Sequence, residues 1–128
     1  MKAAQFVYVL ADAGVLKCAR ESGLFVPEHY ETDGFIHGSS REQLVKSATQ
    51  FFNEVDNLVA LEVEVSSVSS ILKFEPGRSG TLYPHIYGPL PLTCVKRYIP
   101  IPRSPDGSYV LPDVLADDIS PNALSKPR

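Results

Sequence analysis

Cysteine is scarce in this chain. The two that occur, Cys18 and Cys94, have no second cysteine or histidine nearby at zinc-ligand spacing, so no metal site is expected from the sequence. Both lie in apolar patterns and are read as free, buried thiols of a reducing compartment. Long hydrophobic runs are missing too. Met1 to Leu10 is short, Asp12 interrupts it, and no signal-peptide cleavage pattern follows, which predicts no membrane span and a cytoplasmic location. Positive charge is not in excess: 12 basic residues stand against 15 acidic ones, for a net charge of −3, and no basic stripe is visible. Nucleic acid is therefore not the expected partner. The chain also lacks a Gly-rich loop ending in Gly-Lys-Ser, a Gly-x-Gly-x-x-Gly after a strand, and a His-Glu-x-x-His. Nucleoside triphosphatase, dinucleotide-Rossmann and zincin readings lose support with them.

What is present is one domain's worth of core. At 128 residues and 44% hydrophobic content, the chain suits a single globular unit without internal repeats. A chain of this length buries roughly two thirds of its unfolded surface. Gln5 to Leu10 is β-branched and aromatic and predicts a first strand buried on both faces. Asp12 then caps a helix over Ala13 to Ser22, which Gly23 ends. After an irregular crossover from Phe25 to Thr32, Asp33 to His37 turns into a short strand. Ser39 and Glu42 have the spacing of a capping box, so a second helix is expected from Ser40 to about Asn53, its apolar face including Leu44, Val45, Ala48, Phe51 and Phe52. Leu58 to Val65 alternates as a strand whose Glu62 and Glu64 point to a wet face. A serine-rich turn over Ser66 to Ser70 leads to a strand from Ile71 to Glu75, closed by Pro76-Gly77. A loop carries Tyr83 to Pro89, and Cys94 to Ile101 resumes a strand. The fold class is α+β, with a small twisted, mainly antiparallel sheet and two principal helices. Residues 1–103 form the domain, and 104–128 are a proline-rich, partly disordered extension in which Tyr109 to Leu111 add a short edge strand after a turn at Asp106-Gly107.

Two histidines attract attention. His37 closes an apolar strand just before a helix start, where free backbone N–H groups favour an anion. His85 lies among Tyr83, Pro84, Tyr87, Gly88 and Pro89, a stretch in which the tyrosines can stack on a flat ring and Gly88 admits close backbone approach. Glu75, at a strand end, is placed to orient a histidine or accept from a sugar hydroxyl. The structural alternative gives each residue a plain duty: imidazoles satisfying nearby carbonyls, tyrosines filling core, and a solvated glutamate.

The blocks Gly34-Phe35-Ile36-His37-Gly38-Ser39 and Tyr83-Pro84-His85-Ile86-Tyr87-Gly88-Pro89-Leu90 resemble signature segments of the family called domain of unknown function 952, in the same order and over about residues 5 to 101. The resemblance implies an ADP-ribosyltransferase-like fold, shared with RNA 2′-phosphotransferases that use NAD. By that likeness His37, Ser39 and Tyr87 would line a nicotinamide-ribose pocket, with NAD the candidate cofactor. One departure stands out: related sequences carry Tyr-His in the first strand, whereas this chain reads Phe6-Val7-Tyr8-Val9, leaving Tyr8 as the substitute hydroxyl donor.

Two functional readings follow. In the first, a small molecule or nucleotide of the NAD or ADP-ribose kind binds in a cleft around the histidines. His37, Ser39, Tyr83, Tyr87 and Gly88 would hold the ligand, Glu75 and His85 would act in ADP-ribosyl-type or RNA 2′-phosphotransfer chemistry, and Arg78 or Arg97 would neutralise a pyrophosphate. In the second, the domain is a noncatalytic interaction module whose histidines stiffen the fold and whose surface or proline-rich tail recruits a partner.

Overall fold

In the computed structural model, which describes residues 5–77 and 79–116, the β-branched run that opens the chain forms strand β1 (Phe6–Asp12). Helix α1 (Ala13–Ser22) follows at once, with the Asp12 carboxylate accepting from the Gly14 N–H at 2.8 Å and Gly23 as its C-terminal cap. Then come a two-residue strand β2 (Leu24–Phe25), a single helical turn α2 (Tyr30–Asp33) and a two-residue strand β3 (Ile36–His37). Helix α3 (Leu44–Phe51) is the second principal helix. Strand β4 (Leu58–Glu64) passes through a 3-10 turn at Val65–Val68 into β5 (Leu72–Pro76) and β6 (Leu82–Ile86). Strand β7 (Leu90–Pro91), a 3-10 turn at Leu92–Cys94, β8 (Val95–Pro100) and the single turn α4 (Asp113–Ala116) complete the order.

The architecture is mixed α+β with antiparallel pairing. Among the described residues the strands divide into three small sheets rather than one, in the orders β1-β4-β8, β2-β7 and β3-β6-β5. Tyr8 and Ser39 exchange two backbone hydrogen bonds of 2.8 Å, and the Gly38 N–H donates to the Pro84 carbonyl at 2.9 Å. These bonds tie the first sheet to the third through the segment that follows β3. Among the described residues no helix is long and apolar enough to cross a membrane.

Alternation along β1 and β4 splits the core in two. Val7, Val9, Leu61 and Val63 pack with Leu16, Phe25, Ile36, Ile86 and Leu90 on one side, while Tyr8, Leu10, Leu58 and Ala60 pack with Leu44, Ala48, Ile99, Tyr109 and Leu115 on the other. The first strand is thus buried on both faces, as its composition predicts. The face of β4 expected to be wet is covered at Glu62, only 1% exposed, because α3 and the Tyr109–Leu115 segment pack on that side, while Glu64 at the strand end is half-buried.

Other local expectations need correction. The capping box falls one residue later than expected: Ser40 Oγ accepts from the Gln43 N–H at 3.2 Å, and Gln43 Oε1 accepts from the Ser40 N–H at 2.9 Å. The helix proper accordingly begins at Leu44, and Phe51, expected on its apolar face, is 69% exposed, while Phe52 packs against the core. Cys18 is exposed and Cys94 half-buried, both free. Tyr83 to Ile86, read as loop, belong to the middle strand β6, which accepts Pro84 because β3 has already ended beside it. Around Asp106-Gly107 the expected edge strand reduces to a single bridge between Arg103 and Tyr109. Arg103 clamps this turn, donating to the carbonyls of Asn53, Val55 and Gly107. The final residues expected to fray, Asp117 to Arg128, lie outside the described residues.

Candidate functional site

The third sheet builds the site by simple register. His37 pairs with His85, His85 with Lys73, and Glu75 with Tyr83, so directly opposed side chains share one face. Ile36 and Ile86 point the other way and are fully buried. Gly34 caps α2 with φ of 83°, a backbone conformation glycine adopts without strain, and the reversal delivers Phe35 onto the same face.

Aromatic contacts fix these side chains. The Phe35 ring stacks on His85 with centroids 4.0 Å apart and planes 19° from parallel, and it touches His37 at 4.7 Å and Tyr87 at 5.3 Å. The imidazoles of His37 and His85 meet edge to face at 5.6 Å. Two histidines 48 positions apart in sequence therefore lie side by side.

Glu75 is the electrostatic centre. Its Oε1 accepts from the Tyr87 hydroxyl at 2.5 Å and lies 2.6 Å from His85 Nδ1. The Tyr87 bond, with that from His85, holds the Glu75 carboxyl below its ordinary range. The same bond pushes the Tyr87 phenol up, since losing its proton would set two negative charges together. An ionised carboxylate can only accept, so Nδ1 of His85 carries the proton and, in the neutral ring, Nε2 carries the lone pair. The Lys73 ammonium lies 5.2 Å from the centre of the Tyr87 ring and adds a cation to the rim.

A second group adjoins the first. His37 Nε2 lies 2.8 Å from Asp33 Oδ2, and the ring of His29 sits 4.9 Å from that of His37. All three histidines of the chain thus gather in one cluster. Burial, reinforced by His37, lowers the pKa of His29, while Asp33 opposes the shift. Sequence reasoning missed His29 by treating its segment as a featureless crossover. The spacing His29-x-x-x-Asp33-x-x-x-His37 was the available signal.

Ser39, Tyr8 and Arg97 lie elsewhere. Ser39 is buried, and its Oγ donates to Ser47 Oγ at 2.8 Å. The Tyr8 hydroxyl is buried and donates to Glu62 Oε2 at 3.0 Å, and Arg97 is paired with Glu62. Tyr83 shares the site face beside Glu75, its ring lying against Gly77. A β-carbon at Gly88 would meet Ile71 at an ordinary 3.6 Å, so packing among the described residues does not by itself require glycine there. Arg78 lies outside the described residues. Two surface depressions, about 310 and 390 Å³, are lined by Ile99, Val110 and Val114 in one case and by Leu16, Arg20 and Tyr98 in the other; neither includes a residue of the histidine cluster.

The sequence matches the family described as "Protein of unknown function (DUF952)" over residues 11–98. It is similar to protein CC0527 from Caulobacter crescentus. The crystal structure of that protein shares 34% identity over 87% of this chain and 98% of the other, with a TM-score of 0.80. Its solution NMR structure gives a TM-score of 0.76 at the same identity, covering 87% of this chain and 97% of the other. None of the curated proteins matches the chain.

Proposed function

The chain belongs to the DUF952 family of proteins of unknown function, and from that premise we propose that the histidine-bearing face of its third sheet is a small-molecule site of the nucleotide class. The observation that carries this reading is the double bond set on Glu75, which takes the Tyr87 hydroxyl and the His85 Nδ1–H on one oxygen beside the stacked Phe35 ring. A carboxylate fixing one imidazole nitrogen leaves the other suited to accept a proton from a ligand hydroxyl. Phe35 and Tyr87 offer flat faces for a base, and the Lys73 ammonium offsets the charge of a phosphate. His85 and Glu75 are the acid–base pair of this reading, and His37 and Tyr83 flank the ligand.

The resemblance to NAD-using transferases fits less well. Of the residues it assigns to the nicotinamide-ribose pocket, His37 and Tyr87 lie on the open face, but Ser39 is buried against Ser47 and the substitute donor Tyr8 is committed to Glu62. A smaller nucleotide or an ADP-ribose-like ligand suits the face better than NAD. Thermal shift with mononucleotides, ADP-ribose and NAD tests the proposal. A ligand at a hundred times its dissociation constant adds about 2.7 kcal/mol of stability, and Glu75→Gln should abolish that gain. No shift from any of them removes the reading and leaves the noncatalytic interaction module.

A further inference from the structure

We infer that His29, Asp33 and His37 form a binding site for a divalent transition-metal ion of the zinc class, with a coordination position left open to solvent. The inference goes beyond the nucleotide reading and does not depend on it.

The chain builds the donor set locally. His29 immediately precedes the single turn α2, Asp33 ends it, Gly34 reverses the backbone, and β3 returns His37 to the same side. One ligand atom from each residue lies within 4.8 Å of the others. His37 Nε2 and Asp33 Oδ2, at 2.8 Å, already approach the ~3.3 Å edge between two donors on one tetrahedral zinc ion. No separation exceeds 4.8 Å, so a contraction of at most roughly 1.5 Å reaches that edge. Side-chain rotation supplies such a movement at a site where His37 is 50% and Asp33 35% exposed.

A plain ion pair accounts for Asp33 and His37 but not for His29. Its Nε2 is buried and has no hydrogen-bond partner among the described residues. Buried polar atoms are otherwise satisfied almost without exception, so an orphaned imidazole nitrogen beside a histidine and a carboxylate calls for a missing partner. Two imidazoles and one carboxylate select zinc, cobalt or nickel over magnesium or calcium, which prefer oxygen alone. Three protein donors leave at least one position for water or an incoming ligand.

Calorimetric titration of chelator-treated full-length protein with Zn²⁺, and visible absorption with Co²⁺, test the inference. One ion should bind per chain, with Co²⁺ bands free of thiolate charge transfer and no response to Mg²⁺. His29→Ala and His37→Ala should each weaken Zn²⁺ by roughly 100-fold or more, exceeding the 10- to 100-fold typical of outer-shell changes. Cys18→Ser, which removes the exposed thiol, should change nothing. If His37→Ala unfolds by circular dichroism, His29→Ala and Asp33→Asn decide instead. The site is overturned by absence of Zn²⁺ and Co²⁺ binding in the wild type, by affinity within a few fold of wild type in the folded histidine variants, or by loss of binding in Cys18→Ser. Nucleotide titrations run in chelator examine the Glu75–His85 face separately, so either idea can fail without the other.

Discussion

Arg97 grips Glu62 with two parallel hydrogen bonds of 2.7 Å, Nε to Oε1 and Nη2 to Oε2. Tyr8 adds its hydroxyl to Oε2 at 3.0 Å. The three residues lie directly opposite one another across β1, β4 and β8. Burial raises the cost of the Glu62 charge, but the Arg97 and Tyr8 bonds outweigh it and hold the carboxyl below its ordinary range. This bidentate pair joins the edge strand β8 to the sheet where backbone pairing shifts register between Glu62 and Val63.

Arg97→Met should destabilise the fold by about 3 kcal/mol, since it strands a buried carboxylate while leaving the half-exposed guanidinium's packing largely intact. Adding Glu62→Gln in that background should recover part of the loss, because a neutral amide is cheaper to bury and still accepts from Tyr8. Urea denaturation of both single variants and of the double variant measures these effects. Additive losses would show that the pair is not coupled.

The same carboxyl makes stability depend on pH. Its folded pKa lies below its unfolded one, so its contribution is complete above the unfolded value, about 4.3, and disappears as pH falls through the folded value. The stability gap between wild type and Glu62→Gln should therefore be widest near neutrality and narrow below about pH 4. Denaturation midpoints at pH 3, 4, 5 and 7 give the comparison, and a constant gap would contradict it.

How much of this was readable depends on the range of the forces involved. The Asp12 cap, Gly23 stop and two-sided burial of Phe6 to Leu10 are local or compositional, and the sequence displays them directly. Glu62 was misread because alternation reveals which residues share a face but not whether another layer covers it; that layer comes from α3 and the Tyr109–Leu115 segment, distant in sequence. Ser39 was assigned a helix cap because Ser-x-x-Glu and Ser-x-x-Gln overlap here, and only the exchange with Tyr8 and Ser47 decides between them. His37 and His85 were legible as a pair, whereas the His29-x-x-x-Asp33-x-x-x-His37 spacing gains meaning only once a four-residue turn folds it back.

Within the site, Tyr87→Phe should let the Glu75 carboxyl titrate at higher pH than in wild type, since it removes the larger of the two bonds favouring the charged form. The value should remain below the ordinary range because His85 still donates. Carbon-detected NMR titration of the Glu75 side chain reads this directly. An unchanged titration would mean that the hydroxyl does not rest on the carboxylate in solution.

Gly38 is the joint on which the site's alignment depends. A β-carbon there would stand 3.1 Å from the Pro84 carbonyl oxygen, 3.2 Å from Pro84 Cγ and 3.4 Å from the Tyr8 carbonyl oxygen. Two of these neighbours are backbone acceptors engaged with Gly38 and Ser39 themselves, so relief requires separating β1 from β6 rather than turning a side chain. Gly38→Ala should cost about 1–3 kcal/mol, the usual range for overpacking. Because His37 precedes the joint and His85 follows Pro84, the same separation should pull the two imidazoles apart and weaken their ring-current shifts. Thermal denaturation with proton NMR of the histidine rings tests both consequences. Full stability with unshifted rings would mean that the sheets accommodate the methyl without moving, and that the alignment does not depend on this joint.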